Sequence, residues 1–194
     1  MKLNNVISLL FVCMLSACAA SAPEYDEKLS QQDAAASIEL KQIFFEKLSY
    51  GEERREFFTL NMLHQFNEGK SVYRAFELPE FNHAYQVTIR SRLYTDKGKK
   101  QLFLPIIEKL DEDFRPTEKY RISESEAAEA VSHLKPLEIN VRVDAKDRYL
   151  IIHSAPEIFQ KNILPDSTSS PVFARAGNLD IAMPLKGADR YEKY

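Results

Sequence analysis

The chain of 194 residues has no tryptophan, only five glycines and two cysteines. Each shortage excludes something. Few glycines, and none in a phosphate-cradling run or a Gly-x-Ser-x-Gly elbow, argue against a nucleotide loop and an α/β-hydrolase nucleophile. Two cysteines at positions 13 and 18 cannot staple a domain that begins further on. A net charge of −3 without a basic stripe argues against nucleic-acid binding. Beyond the first residues there is no apolar run near eighteen residues, the length a membrane-spanning helix needs. The lack of Trp weakens the case for a sugar-stacking lectin, and the core must come from the 12 Phe and 9 Tyr with the aliphatic residues.

What is present begins at the N-terminus. Lys2 precedes an apolar run from Val6 to Leu15, and small residues lead to Cys18. This is the layout of a secretory signal. Its end, Leu15-Ser16-Ala17-Cys18, resembles the lipobox of bacterial lipoproteins. That resemblance implies cleavage before Cys18 and acylation of its thiol and amine, with palmitate among the expected chains. An ordinary signal peptide that happens to hold two cysteines is the other reading. The expected organisation is a signal peptide over 1–17, a lipidated cysteine and flexible tether over 18–29, and one β-rich domain over 30–194. The tether, with Pro23 and small polar residues, reaches roughly 37 Å when extended. Ala19, in place of Asp, favours the inner leaflet of the outer membrane over the inner membrane.

The rest of the chain alternates with period two. Tyr85, Val87, Ile89 and Leu93 oppose Gln86, Thr88, Arg90 and Arg92; Leu137, Ile139, Val141 and Val143 oppose Glu138, Asn140 and Arg142; Leu179, Ile181, Met183 and Leu185 repeat the pattern. Strands with one wet and one dry face mark antiparallel sheets. Leu102 to Ile107 is apolar on both faces and expected to be more buried, with Pro105 at an edge or a bulge. Asp96-Lys97-Gly98 reads as a hairpin turn. Ser123 with Glu126, and Ser154 with Glu157, form capping-box patterns ahead of helical stretches, and Ser30 is a third candidate cap. The predicted fold is mainly β, an antiparallel β-sandwich with two or three short helices.

Chemistry-bearing constellations are sparse. His64, His83, His133 and His153 have no metal-ligand spacing, and His153, ending an apolar run, reads as a satisfied core or edge histidine. Asp111-Glu112-Asp113 lacks the glycine and distal glutamate of a calcium loop and reads as an acidic turn. Lys97, Lys99 and Lys100 read as a solvated hairpin tip. No carboxylate pair stands out for glycoside hydrolysis. Tyr73, Tyr85, Tyr94 and Tyr149 are the candidate sugar contacts, against the commoner role of packing with the hydroxyl at the rim. No enzyme, cofactor or metal site is expected.

Four ordered segments add a further reading. They are Gly69 to Pro79 with the strand that follows, Leu102-Phe103-Leu104-Pro105 through Asp111 with Phe114, Arg148 to His153, and Pro171 to Arg175 running into Leu179 to Leu185. In this order and spacing they resemble the maltose operon periplasmic protein family of Gram-negative bacteria. The resemblance implies a secreted, non-catalytic accessory protein associated with maltose and maltodextrin uptake. With the lipobox it implies attachment to a membrane, and maltodextrin or an envelope protein as partner. The alternative is a structural or assembly lipoprotein that binds an envelope machine through a sheet edge or the helical stretch at 123–135.

Overall fold

The computed structural model describes residues 39–58, 62–80, 83–96, 99–133, 135–154, 172–174 and 178–184. These lie in a compact unit, Ala34–Tyr194; the other unit, Met1–Asp33, falls outside the described residues, and with it the signal peptide, Cys18 and the tether. Leu40–Gln42 forms a 3-10 turn. The strands are β1 (Glu46–Lys47), β2 (Glu53–Phe57), β3 (Leu63–Phe66), β4 (Gly69–Glu77), β5 (Tyr85–Ser91), β6 (Tyr94–Asp96), β7 (Lys99–Leu102), β8 (Pro105–Leu110), β9 (Pro116–Arg121), β10 (Leu137–Val143), β11 (Tyr149–Ser154), β12 (Val172–Ala174) and β13 (Asn178–Ala182). The helix α1 spans Glu124–Ser132.

The architecture is a mainly β sandwich. One sheet runs β1-β4-β11-β8-β9, with β3 added beside β4; the other runs β10-β5-β13-β2; β12, β7 and β6 form a smaller ribbon. The period-two reading holds in the second sheet. Every odd residue of β5 and of β10 is buried, and the even residues face outward. In β13 Leu179 and Ile181 are dry, but Asp180 on the other face is buried as well, because Arg55 and Arg92 close over its carboxylate at 3.0 and 2.6 Å.

The sheet holding β8 and β11 is covered on both sides. Leu150, Ile152, Phe76 and Ile107 lie on the face turned toward the second sheet, and each buried side chain of this size is worth about 1.5–3 kcal/mol. Two cations on that face span the gap. Lys109 reaches the Arg142 carbonyl of β10 at 2.7 Å, while Arg74 pairs with Glu56 of β2 and, at 3.0 Å, with Glu46. Across the sheet a second core gathers Ile43, Phe66, Ala75, Leu110 and Ile151, with Leu40, Phe45, Tyr73, Phe114 and Tyr149 packed around it.

Several expectations change. Pro105 is neither at an edge nor in a bulge: it opens β8 opposite Ser154, where its missing N–H costs the ladder little. Two pairings, β1 with β4 and β12 with β7, are parallel, each only two or three positions long. β6 and β7 pair antiparallel with Asp96 opposite Lys99, while Lys97 and Gly98 of the expected hairpin turn lie outside the described residues. The capping box at Ser123 is also present: Glu126 N–H donates to its hydroxyl at 3.2 Å, Glu126 accepts from the Ser123 amide at 2.9 Å, and Ala127 and Val131 are buried below. Ser154 ends β11 with its hydroxyl 3.2 Å from that of Ser71. The helical stretches expected after Ser154 and Ser30 lie outside the described residues, so α1 is the one α-helix among those described.

Candidate functional site

Alternation along β11 sends Tyr149, Ile151 and His153 to the face opposite the second sheet. Register places Leu110, Glu108 and Ile106 of β8 beside them, and Glu77, Ala75 and Tyr73 of β4 on the other flank. One end of this face is aromatic, and the other carries charge.

At the aromatic end Tyr149 stacks on Phe114 with centroids 4.6 Å apart and planes 12° apart, and Phe45 tilts against it at 4.6 Å. Phe114 occupies left-handed backbone space, with φ of 62°. A bulky residue there is strained by about 1–3 kcal/mol, which the surrounding turn must offset. Asp111 does so: its Oδ1 accepts from the amides of Asp113 and Arg115, both at 2.9 Å, and its carbonyl accepts from the Phe114 amide at 3.1 Å. The acidic triplet is thus a turn former. Asp111 is spent on backbone amides and Asp113 pairs with Arg115 at 3.1 Å.

At the charged end the two-residue turn Asn67-Glu68 joins β3 to β4, made possible by Gly69 at φ of 121°. It brings Glu68 against Lys119 of β9, whose ammonium also lies 2.6 Å from Glu108 Oε1. His153 is fully buried, with its ring flat on Phe66 (centroids 3.8 Å, 1° between planes) and Nε2 3.5 Å from Glu108 Oε1. His64 meets Phe66 edge-on at 4.7 Å. Burial pushes the Glu108 pKa up, but His153, where its Nε2 carries a proton, and Lys119 outweigh it and hold the carboxyl at about 2. Glu68 is shifted the same way, its desolvation overcome by Lys119. Lys119 is raised because the two carboxylates outweigh its burial. His64 is lowered by burial and then by His153.

The tyrosines separate. Tyr85 is in the core at 7% exposure, its hydroxyl donating to the Pro79 carbonyl at 3.1 Å, so neither ring face is open to a ligand. Tyr73 is half-buried among His64 and Phe66, and Tyr149 carries Phe114 on one face. Tyr94 on β6 is 57% exposed. The structure groups Tyr73 and Tyr149 on one face and leaves Tyr94 on the separate β6–β7–β12 ribbon. His83 and His133 are exposed. His153 is a core histidine as expected, but not a satisfied one: Nε2 has no hydrogen-bond partner, nor has the buried Oε2 of Glu68. Sequence reasoning missed Glu68, Glu108 and Lys119, which are distant in the chain. The available signal was a glutamate and a lysine, Glu108-Lys109, inside the apolar stretch from Leu102 to Leu110.

The described residues thus form a mainly β sandwich in which one sheet is covered on both faces. Residues 68–184, more than half of the chain, match the family described as maltose operon periplasmic protein precursor, and the chain belongs to that family. The match runs from the turn that carries Glu68 to the residues just after β13. The family is one of periplasmic proteins tied to the maltose operon. No curated protein and no solved structure gives a significant match. Among the described residues no helix is long and apolar enough to cross a membrane.

Proposed function

We propose that this chain is an accessory lipoprotein of the periplasm that takes part in maltodextrin handling and is held at a membrane by acylated Cys18. Membership of the maltose operon family carries the reading, and the Leu15-Ser16-Ala17-Cys18 ending supports the anchor. A single acyl chain binds a bilayer marginally, whereas several add about 0.8 kcal/mol per buried CH₂ and make binding persistent. Cys18→Ser is therefore expected to shift the protein to the soluble periplasmic fraction and to abolish fatty-acid labelling. Membrane fractionation and labelling unchanged by the substitution refute the anchor.

Without Trp, sugar contact rests on tyrosine rings and a few polar groups, which keeps affinity near a Kd of about 1 mM, or −4 kcal/mol. Of the tyrosines, Tyr94 offers the most open ring and Tyr149 a rim backed by Phe45 and Phe114. NMR titration with maltoheptaose at several millimolar is the test. Resonances near Tyr94 or Tyr149 are expected to move, Tyr94→Ala or Tyr149→Ala to weaken binding, and Tyr85→Ala to act on stability. No movement anywhere removes direct sugar binding and leaves a protein partner in the envelope as the reading.

A further inference from the structure

We propose that Glu68, Glu108 and His153 form a site for a divalent transition metal, best suited to Zn²⁺, at which the ion and the Lys119 ammonium compete for the same carboxylates. The site is independent of the maltodextrin reading, since none of its residues is among the sugar-contact candidates.

Geometry comes first. One ligand atom from each residue lies within 4.8 Å of the others. Zn²⁺ with bonds of about 2.1 Å in a tetrahedron separates its ligands by about 3.4 Å. Nε2 of His153 and Oε1 of Glu108 already stand 3.5 Å apart. Glu68 is brought in by the β3–β4 turn, and its Oε1 shares the Lys119 ammonium with Glu108.

The histidine supplies the second line. Its ring cannot turn freely, being flat on Phe66 and 0% exposed. Nδ1 lies 3.3 Å from the Ser154 carbonyl oxygen. An N–H there donates to that carbonyl and places the lone pair on Nε2, the arrangement by which backbone carbonyls orient metal-bound histidines. Nε2 then aims a lone pair at a carboxylate oxygen with no hydrogen-bond donor to separate them. Two electron-rich atoms at that distance in a buried place call for a cation between them. Oε2 of Glu68, also buried and without a hydrogen-bond partner, is a further donor atom.

The donor set points to the metal. An imidazole with two carboxylates suits Zn²⁺ and its neighbours, whereas Ca²⁺ and Mg²⁺ want six or more oxygens. Charge agrees: two carboxylates facing one ammonium and a neutral imidazole leave a net −1, and Zn²⁺ brings the group to zero once Lys119 withdraws. The Lys119 side chain is 34% exposed, so its head has a route to water. The rival occupant of Nε2 is a proton, making His153 an imidazolium and the four-residue group neutral as it stands.

The two occupants give opposite results with Zn²⁺ alone as probe. The chain carrying Cys13→Ser and Cys18→Ser, which removes both thiols, is titrated with Zn²⁺ at pH 7 and followed by calorimetry and thermal unfolding. One equivalent is expected to bind and raise Tm. Glu68→Gln is expected to weaken binding about tenfold or more, and Lys119→Met to tighten it about tenfold or more by removing the competing charge. Long-range ¹H–¹⁵N NMR on the parent chain reads Nε2 directly and needs no substitution. A metal site shifts the His153 Nε2 resonance on addition of one equivalent of Zn²⁺. A persistent Nε2–H proton that Zn²⁺ does not displace, or no change in Tm with the metal, overturns the proposal.

Discussion

Adjacent residues of β8, Glu108 and Lys109, send opposite charges to opposite faces of one sheet, and the two faces complete them differently. Lys109, 1% exposed, gives each of its three ammonium protons an acceptor: the Arg142 carbonyl at 2.7 Å, Asp147 Oδ2 at 2.8 Å and Glu118 Oε2 at 2.9 Å. Its charge also stands 5.9 Å from the Tyr120 ring centre. Asp147 in turn accepts from the Thr117 hydroxyl at 2.5 Å and the Asp144 amide at 2.8 Å. Around Glu108 the bookkeeping stays open, with His153 Nε2 and Glu68 Oε2 unmatched. A completed buried network ties elements together and specifies one arrangement; an incomplete one costs stability and is retained where a ligand or a proton completes it. The Lys109 face thus reads as structure and the Glu108 face as a site.

The largest effect is expected from breaking the completed side. Lys109→Met leaves the Asp147 carboxylate, itself fully buried, without its cation, a loss of about 3–5 kcal/mol in urea unfolding at pH 7. Adding Asp147→Asn to Lys109→Met is expected to return part of that loss, because the stranded charge is gone. An equal or greater loss in the double variant contradicts the account.

Acidity probes the same network without changing its packing. Burial raises the Asp147 pKa, but Lys109, Thr117 and the Asp144 amide outweigh it, so the folded value lies below the ordinary 3.8. Its contribution is therefore complete above 3.8 and lost as pH falls through the depressed value. Lys109 works the other way: its carboxylate partners overcome desolvation and raise it above 10.5, so its contribution is complete below 10.5 and fades as pH rises through the raised value. Asp147→Asn is expected to flatten the acid limb of a stability-against-pH curve, and an unchanged limb places the acid sensitivity elsewhere.

How far such a network was legible follows from what each residue's neighbours in the chain reveal. The dry faces of β5 and β10 could be read because a strand with one wet side writes its burial into alternate positions. β8 hid its charges for the opposite reason. A strand covered on both sides buries every position, including Glu108 and Lys109, and their partners Asp147, Glu68 and His153 come from other parts of the chain. The parallel pairings of β1 and β12 were illegible too, since a two- or three-residue strand carries no mark of its partner's direction. Tyr85 shows the limit for site residues. Its place on the dry face of β5 was visible in the alternation, whereas the openness of Tyr94 depends on a ribbon that nothing local announces.

A milder cut into the completed side removes one bond and keeps the shape. Thr117→Val takes away the hydroxyl that donates to Asp147 Oδ1 while leaving the Lys109 pair intact. One such bond to a charged acceptor is worth about 1.5 kcal/mol or somewhat more, well short of the Lys109→Met loss. A Thr117→Val loss as large as that of Lys109→Met shows that the hydroxyl, not the cation, holds the carboxylate.

The smallest effect is expected on the open side, from His153→Phe. Phenylalanine keeps the flat contact with Phe66 and leaves no cavity, and its somewhat larger ring adds a modest overpacking that removal of a buried unmatched polar atom offsets. What is lost is the Nδ1 approach to the Ser154 carbonyl, at 3.3 Å a long contact, and an Nε2 that had no hydrogen-bond partner to lose. Glu108 keeps Lys119 as its counter-charge at 2.6 Å. The cost of one modest hydrogen bond is set against relief from burying an unmatched polar atom, and the two are of similar size. The expected change is below about 1 kcal/mol in either direction when unfolding is measured at pH 7 in the presence of a chelator. A loss of several kcal/mol means that His153 is an imidazolium paired to Glu108, and the two faces of β8 are then alike, each a finished ion pair.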